Sequence, residues 1–215
     1  LHVTLNRPEV KNALNPTLIG ELRTVFEILR DRRDIKVVVL RGAGGTFCAG
    51  ADLKSMEQSF TDKPKPGEKD PIAVWNRGFG TFLEMVNTSP QVVVAAVEGY
   101  AIAGGFGILC VSDVAICTEE AGFAMSETAI GIVPAQIAPF VAARIGVPQT
   151  RHLTLTAARF KGPEAHRLGI AHYLVKDSAA LDAKLEELLK QIDRCAPIAN
   201  ALTKQVVMKV GTEPL

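Results

Sequence analysis

The chain is short of paired cysteines, of basic runs and of apolar stretches long enough for a membrane, and each shortage removes a class of function. Its four cysteines, Cys48, Cys110, Cys117 and Cys195, form no C-x-x-C pair. Zinc-ribbon and thioredoxin-type readings therefore drop out, and reduced thiols of a cytosolic protein are expected. Cys48 has no histidine near it in sequence, so a cysteine-nucleophile reading has little support. The histidines His2, His152, His166 and His172 show no ligand spacing, and HExxH is absent, so no metal is expected. With 24 basic and 23 acidic residues the net charge is +1. That balance argues against nucleic acid as a partner. The apolar runs fall short of the roughly 20 residues that span a bilayer. The opening His2-Val3-Thr4-Leu5 carries no signal-peptide pattern. A cytoplasmic protein without membrane contact is the expectation. There is no Walker A pattern and no G-x-S-x-G elbow. Gly42-Ala43-Gly44-Gly45 suggests a dinucleotide turn, but the fingerprint needs glycine where Phe47 stands. No cofactor is expected.

What is present is an apolar chain with alternating strand and helix signals. Hydrophobic residues make up 47% of 215 residues, enough for one large domain or two small ones. Val3–Leu5 reads as a strand, and Asn15-Pro16 as an N-cap with proline at the first helical position. Leu18, Leu22, Val25, Phe26 and Leu29 then fall on one helical face. Ile35–Leu40, Val92–Val97 and Val114–Cys117 read as buried strands, the first apolar on both faces. Between them, Trp75, Phe79, Phe82, Leu83 and Val86 mark a helix. The polar stretch from Ser55 to about Pro71 reads as a loop, with 59–70 a candidate lid. Helix signals dominate after Ile130. A helix is expected from Pro134 to Ala143, closed by Gly146, and another from Pro148 to Thr156. A short helix near Gly162, a long one capped by Ser178 and a further one from Pro197 follow. The chain thus divides into a βα-repeating core, 1–134, and a helical portion, 135–215. Ile192, Ile198, Leu202, Val206 and Val207 exceed what one core needs and call for a covering surface.

Two segments and one carboxylate carry the chemistry. Phe47-Cys48-Ala49-Gly50-Ala51-Asp52-Leu53 and Gly99-Tyr100-Ala101-Ile102-Ala103-Gly104-Gly105-Phe106-Gly107 each follow a strand-like run. Each sets small residues where a backbone N–H can face a ligand, and two such donors converging on one point make an oxyanion hole. The bland reading is that these glycines only permit close packing. A helix opening near Gly104 would add its N-terminal dipole. Glu127 sits in Phe123-Ala124-Met125-Ser126-Glu127-Thr128-Ala129-Ile130. Buried there, its pKa would rise toward the range useful for proton transfer. An exposed loop glutamate, or one tied to a helix N-terminus, fits the same residues.

In this order the motifs resemble the crotonase (enoyl-CoA hydratase/isomerase) superfamily, from Leu5-Asn6-Arg7-Pro8 to about Leu174. The resemblance implies an α/β fold with a ββα spiral core of two sheets, ringed by helices, and a helical C-terminal portion. It implies that Ala51 and Gly104 hold the thioester oxygen of an acyl-CoA and that Glu127 is the proton-transfer group. Ala49, Asp52, Leu53 and Lys54 would lie along the CoA moiety, with Lys54 meeting a phosphate. For Lys54 a solvated side chain is the alternative, and for Asp52 a helix cap. CoA would be part of the substrate, and the chain would form a homotrimer or hexamer. One position departs from the pattern: the usual first hydratase glutamate is Gly107 here. Single-glutamate members include isomerases and hydratases of glutaconyl-type esters. Val133-Pro134-Ala135-Gln136-Ile137-Ala138-Pro139-Phe140-Val141 resembles the isohexenylglutaconyl-CoA and methylglutaconyl-CoA hydratases. Gln136 would hold a water or a substrate carboxylate, or else cap a helix. The resemblance thus implies hydration of a branched or glutaconyl-type enoyl-CoA. Δ3,Δ2-enoyl-CoA isomerisation and a catalytically silent acyl-CoA binder or scaffold are the alternatives.

Overall fold

The structure, a computed structural model, describes residues 1–55, 57 and 67–210. Residues 59–66 of the expected lid lie outside the described residues. In chain order the elements are β1 (His2–Leu5), α1 (Pro16–Leu29), β2 (Val37–Gly42), α2 (Pro71–Asn87), β3 (Val92–Val97) and β4 (Tyr100–Ile102). Then come α3 (Gly104–Cys110), β5 (Val114–Thr118), β6 (Gly122–Ala124), α4 (Ala138–Thr156) and β7 (Arg159–Lys161). The chain continues with α5 (Gly162–Arg167), β8 (Tyr173–Val175), α6 (Ser178–Asp193) and α7 (Pro197–Lys209).

Five strands form a parallel sheet in the order β1-β2-β3-β5-β8, and three form a second sheet in the order β4-β6-β7. In the large sheet Val39 pairs with Val94, and Val94 with Val114. Alternation along each strand sends its side chains to two cores. Val38, Leu40, Val93, Ala95, Val97, Ala115 and Cys117 join the main core with α1, α2 and α3. Val39, Val94, Ala96 and Ile116 face the other way, onto Leu181, Leu185, Leu188 and Ile192 of α6. Strands covered on both faces must be apolar throughout, which is why they read as unbroken runs.

Local signals set the helix starts. Asn15 caps α1, its side chain accepting from the Leu18 N–H at 2.9 Å. Asp70 caps α2 through the Ile72 N–H at 2.8 Å. The cap of α6 is Asp177, which accepts from Ala180, so Ser178 is the first helical residue and not the cap. Helix α4 begins at Ala138, because 135–137 are a turn in which Ile137 and Ala138 donate to the Pro134 carbonyl. It breaks at Gly146, whose φ is 78° and ψ 158°, just before Pro148. Within 135–210 the regular elements are helices except for β7 and β8, and each of these joins a sheet begun in 1–134. Ile192 is buried beneath the large sheet, whereas Ile198, Leu202, Val206 and Val207 of α7 are exposed. Among the described residues no helix is long and apolar enough to cross a membrane.

Candidate active site

The first loop leaves β2 and runs beside the start of the second sheet. Cys48 N–H donates to the Tyr100 carbonyl at 2.7 Å, and Ile102 N–H donates back to the Cys48 carbonyl at 3.0 Å. On its other side Leu14 donates to Gly50 O at 2.7 Å and accepts from Asp52 N–H at 2.8 Å. In such a parallel bridge Ala51, between those two, turns its own N–H away from Leu14. Asn12, wholly buried, fixes the approach to this loop. Its side chain accepts from Arg7 N–H and donates to the carbonyls of Ala43 and Thr46. Arg7 also donates to the Ala13 carbonyl and, at 2.9 Å, to Asp52. That bond holds the Asp52 carboxyl below the usual carboxylate range.

The second segment turns from β4 into α3 at Ala103, whose φ of 49° and ψ of −115° is costly for a side-chain-bearing residue. Ala103 N–H is tied to the Ala124 carbonyl at 2.9 Å. Gly104 follows as the first residue of α3, so its N–H has no helical partner. Among the described residues neither the Ala51 nor the Gly104 N–H is bonded within the chain. The two segments touch at their glycines. A Cβ on Gly50, where φ is 92°, would lie 3.0 Å from both Ala103 Cβ and Ile102 O. One on Gly105 would lie 2.7 Å from Cys48 Cβ and from its carbonyl oxygen. Close packing and free donors are therefore one arrangement, not rival readings.

A cavity of about 130 Å3 opens where the segments meet. Ala49, Ala51, Leu53, Gly104 and Glu127 line it. Helix α2 adds Ile72, Trp75, Asn76 and Phe79, while Leu14 and Ile137 close other sides. Glu127 opens a short 3-10 turn, Glu127–Ile130, that follows β6. The hydroxyl of Thr128 anchors this turn to α4 by donating to Thr154 O at 2.7 Å. Glu127 is 8% exposed, and neither carboxylate oxygen has a hydrogen-bond partner among the described residues. Burial pushes its pKa up; its own backbone N–H lies near enough to oppose this slightly without reaching hydrogen-bond geometry. A buried, unpartnered carboxyl in an apolar cavity costs stability and is a candidate for proton transfer.

Gly107 is fully enclosed. A Cβ there would meet two Ile137 carbons at 3.2 Å and Leu83 at 3.4 Å, so any side chain at this position would require those two side chains to give way. Glu127 is the one carboxylate in the described lining of the cavity. Three expected residues are not brought to the cavity. Asp52 is drawn off by Arg7. Lys54 is exposed. Gln136 turns toward α2, where its oxygen accepts from Arg77 at 3.3 Å and sits over Gly80, whose missing side chain makes the space. The buried Cys48 thiol, pushed up to about 12 by burial, stays protonated and unreactive. Sequence reasoning missed Asn76, Ser126 and the Arg7–Asn12 support. Asn76 had a signal: it is the polar position in the stripe Ile72, Trp75, Asn76, Phe79. Among the described residues no group of His, Cys, Asp and Glu is arranged to hold a metal ion.

Comparison with known proteins now decides the family. Residues 1–215 match enoyl-CoA hydratase/isomerase. The chain belongs to that family. Among solved structures it resembles AtuE of Pseudomonas aeruginosa, with a TM-score of 0.94 and 48% identity, covering 100% of this chain and 81% of that one. A protein from Thermobifida fusca described as an enoyl-CoA hydratase and solved in complex with CoA has a TM-score of 0.84 and 29% identity, over 100% of this chain and 82% of its own. The curated enoyl-CoA hydratase ACTT6 of Alternaria alternata is 29% identical over 97% of this chain. The chain spans 66% of that relative's length. Membership in the enoyl-CoA hydratase/isomerase family accounts for the parallel sheet and the second sheet together, which strand periodicity alone does not.

Proposed function

We propose that this protein adds water across the α,β double bond of an enoyl-CoA. The observation that carries the reading is the buried, unpartnered Glu127 carboxylate lining the same cavity as Ala51 and Gly104. In this scheme the thioester oxygen sits between the N–H groups of Ala51 and Gly104. A water oxygen bonds to Cβ, the π electrons move toward the thioester, and Glu127 takes the water's proton. The same proton then passes to Cα as the enolate collapses. The two N–H donors strengthen as charge grows on the oxygen, so they lower the barrier rather than merely bind. One such donor is worth roughly 100- to 1,000-fold in kcat. Leu53 and Ala49 line the cavity, and CoA would lie along them. Exposed Lys54 is free to meet a phosphate outside the cavity.

The acyl group we assign is branched or glutaconyl-type. Apolar walls from Leu14, Ile72, Trp75, Phe79 and Ile137 support a branched chain. Support for a second carboxylate comes from the resemblance of the 133–141 segment alone, since no cation lines the described cavity. A second reading, Δ3,Δ2-isomerisation, is favoured by one observation: with glycine at 107, Glu127 is the one carboxylate in the described lining, and one suffices to move a proton within the substrate. Incubation with a panel of enoyl-CoA esters followed by mass spectrometry separates these. A gain of one water is expected. An isobaric product with a moved double bond would assign the isomerase, and no change across the panel a silent acyl-CoA binder. Assembly is proposed as a homotrimer or hexamer, supported by the exposed Ile198, Leu202, Val206 and Val207 on α7.

A further inference from the structure

A hydratase with one carboxylate must hold its water with something else. Two-carboxylate catalysis would place a second acid at Gly107, but this residue is glycine, and the side chains packed against it, Ile137 and Leu83, are apolar. The polar side chains in the described lining are Asn76, Ser126 and Glu127. Ser126 is the neighbour of Glu127 in the chain and so lies on the same element. Asn76 comes from α2, the helix that also supplies Leu83 beside Gly107. It lies at helical spacing with Ile72 and Phe79, on the face that lines the cavity. No hydrogen bond within the chain engages its carboxamide among the described residues, and it is half-buried. Its amide is left to pair with whatever enters the cavity, water included. Its carboxamide offers both an acceptor and a donor. A water that gives one proton to Glu127 needs an acceptor for its other hydrogen to fix the direction of attack.

We infer that Asn76 is the positioning residue for the attacking water, accepting the water hydrogen that Glu127 does not take. This rests on the hydratase reading above. In the step, the water oxygen forms its bond to Cβ, the hydrogen facing Asn76 remains on that oxygen as the product hydroxyl, and the other proton passes through Glu127 to Cα. Asn76 gains and loses no proton.

The test compares two reactions of the intact protein. Exchange of the α-protons of butyryl-CoA in deuterated water uses Glu127 and the two N–H donors but no attacking water. Hydration of an enoyl-CoA uses all of them. Asn76→Leu and Asn76→Ala should each lose hydration kcat at least about tenfold more than they lose exchange, with KM for the enoyl-CoA within about threefold of wild type. Two variants of different size, checked for native thermal unfolding, keep a folding failure from mimicking the result. Parallel loss of both reactions, loss of neither, or a change confined to KM would overturn the assignment. A wild-type protein that exchanges α-protons yet hydrates nothing would instead bring down the hydratase reading, and Asn76's role with it.

Discussion

Glu127 is where chemistry and stability oppose each other. Glu127→Gln keeps the shape but cannot shuttle the proton, so kcat should fall at least about 100-fold while CoA-ester affinity changes little. Near-wild-type turnover would remove Glu127 from the mechanism. The same substitution has a pH signature. Burial raises the folded-state pKa of Glu127 above its unfolded value. Between those two values the folded protein binds the extra proton, so stability falls as pH rises through that window and stays lost above it. Glu127→Gln removes this loss. Its gain in Tm over wild type should therefore be larger at about pH 8 than at about pH 4, and an equal gain at both would contradict the burial argument. The residues around Glu127 fitted a buried acid and an exposed loop glutamate equally, and the family resemblance singled it out; the structure shows it buried. Asn76 was not singled out, because its helix was read from its apolar positions alone. Gln136 misled for a local reason: Gly80 leaves a space on α2 that draws its side chain away from the cavity, and no spacing rule reveals such a space.

At the scale of elements, the site depends on how closely two loops approach. Gly105→Ala would press a methyl against the Cys48 backbone, where relief requires moving the loop itself. We expect a cost of about 1–3 kcal/mol in unfolding free energy. A kcat loss of about tenfold or more should accompany it, since the Ala51 and Gly104 donors part with the loops. Unfolding and turnover measured on one preparation check both; full activity would mean that the contact does not set the donor geometry. Gly107→Glu should destabilise the protein and add no activity, because its Cβ would press on Ile137 and Leu83 and its carboxylate would sit among apolar side chains. Faster hydration by this variant would refute the packing account. Strands β2 and β3, six residues each, and the amphipathic helices were legible from their apolar patterns, as were the shorter β1 and β5, whereas β8, with three residues, was not. Strands β4, β6 and β7 hold three residues each, too few for alternation to register. The arrangement of two sheets came from the family resemblance, since alternating strands and helices fit a doubly wound sheet equally well.

For the whole molecule, the exposed apolar face of α7 predicts self-association. Ile198, Leu202, Val206 and Val207 should lie in a contact between copies. Light scattering at micromolar protein should report a trimer or hexamer, and replacing Leu202 and Val206 by Asp should shift it toward monomer. A stable monomer with wild-type residues would contradict the assembly. The central claim, however, is the reaction: water adds to an enoyl-CoA under the control of one buried carboxylate. Turnover of an enoyl-CoA in 18O-labelled water, with the product read by mass spectrometry, tests it most directly. The account predicts a 3-hydroxyacyl-CoA carrying one labelled oxygen, formed by the wild-type protein and at least about 100-fold more slowly by Glu127→Gln. An unlabelled product of unchanged mass with a shifted double bond, or labelled product formed equally fast by both proteins, would contradict it.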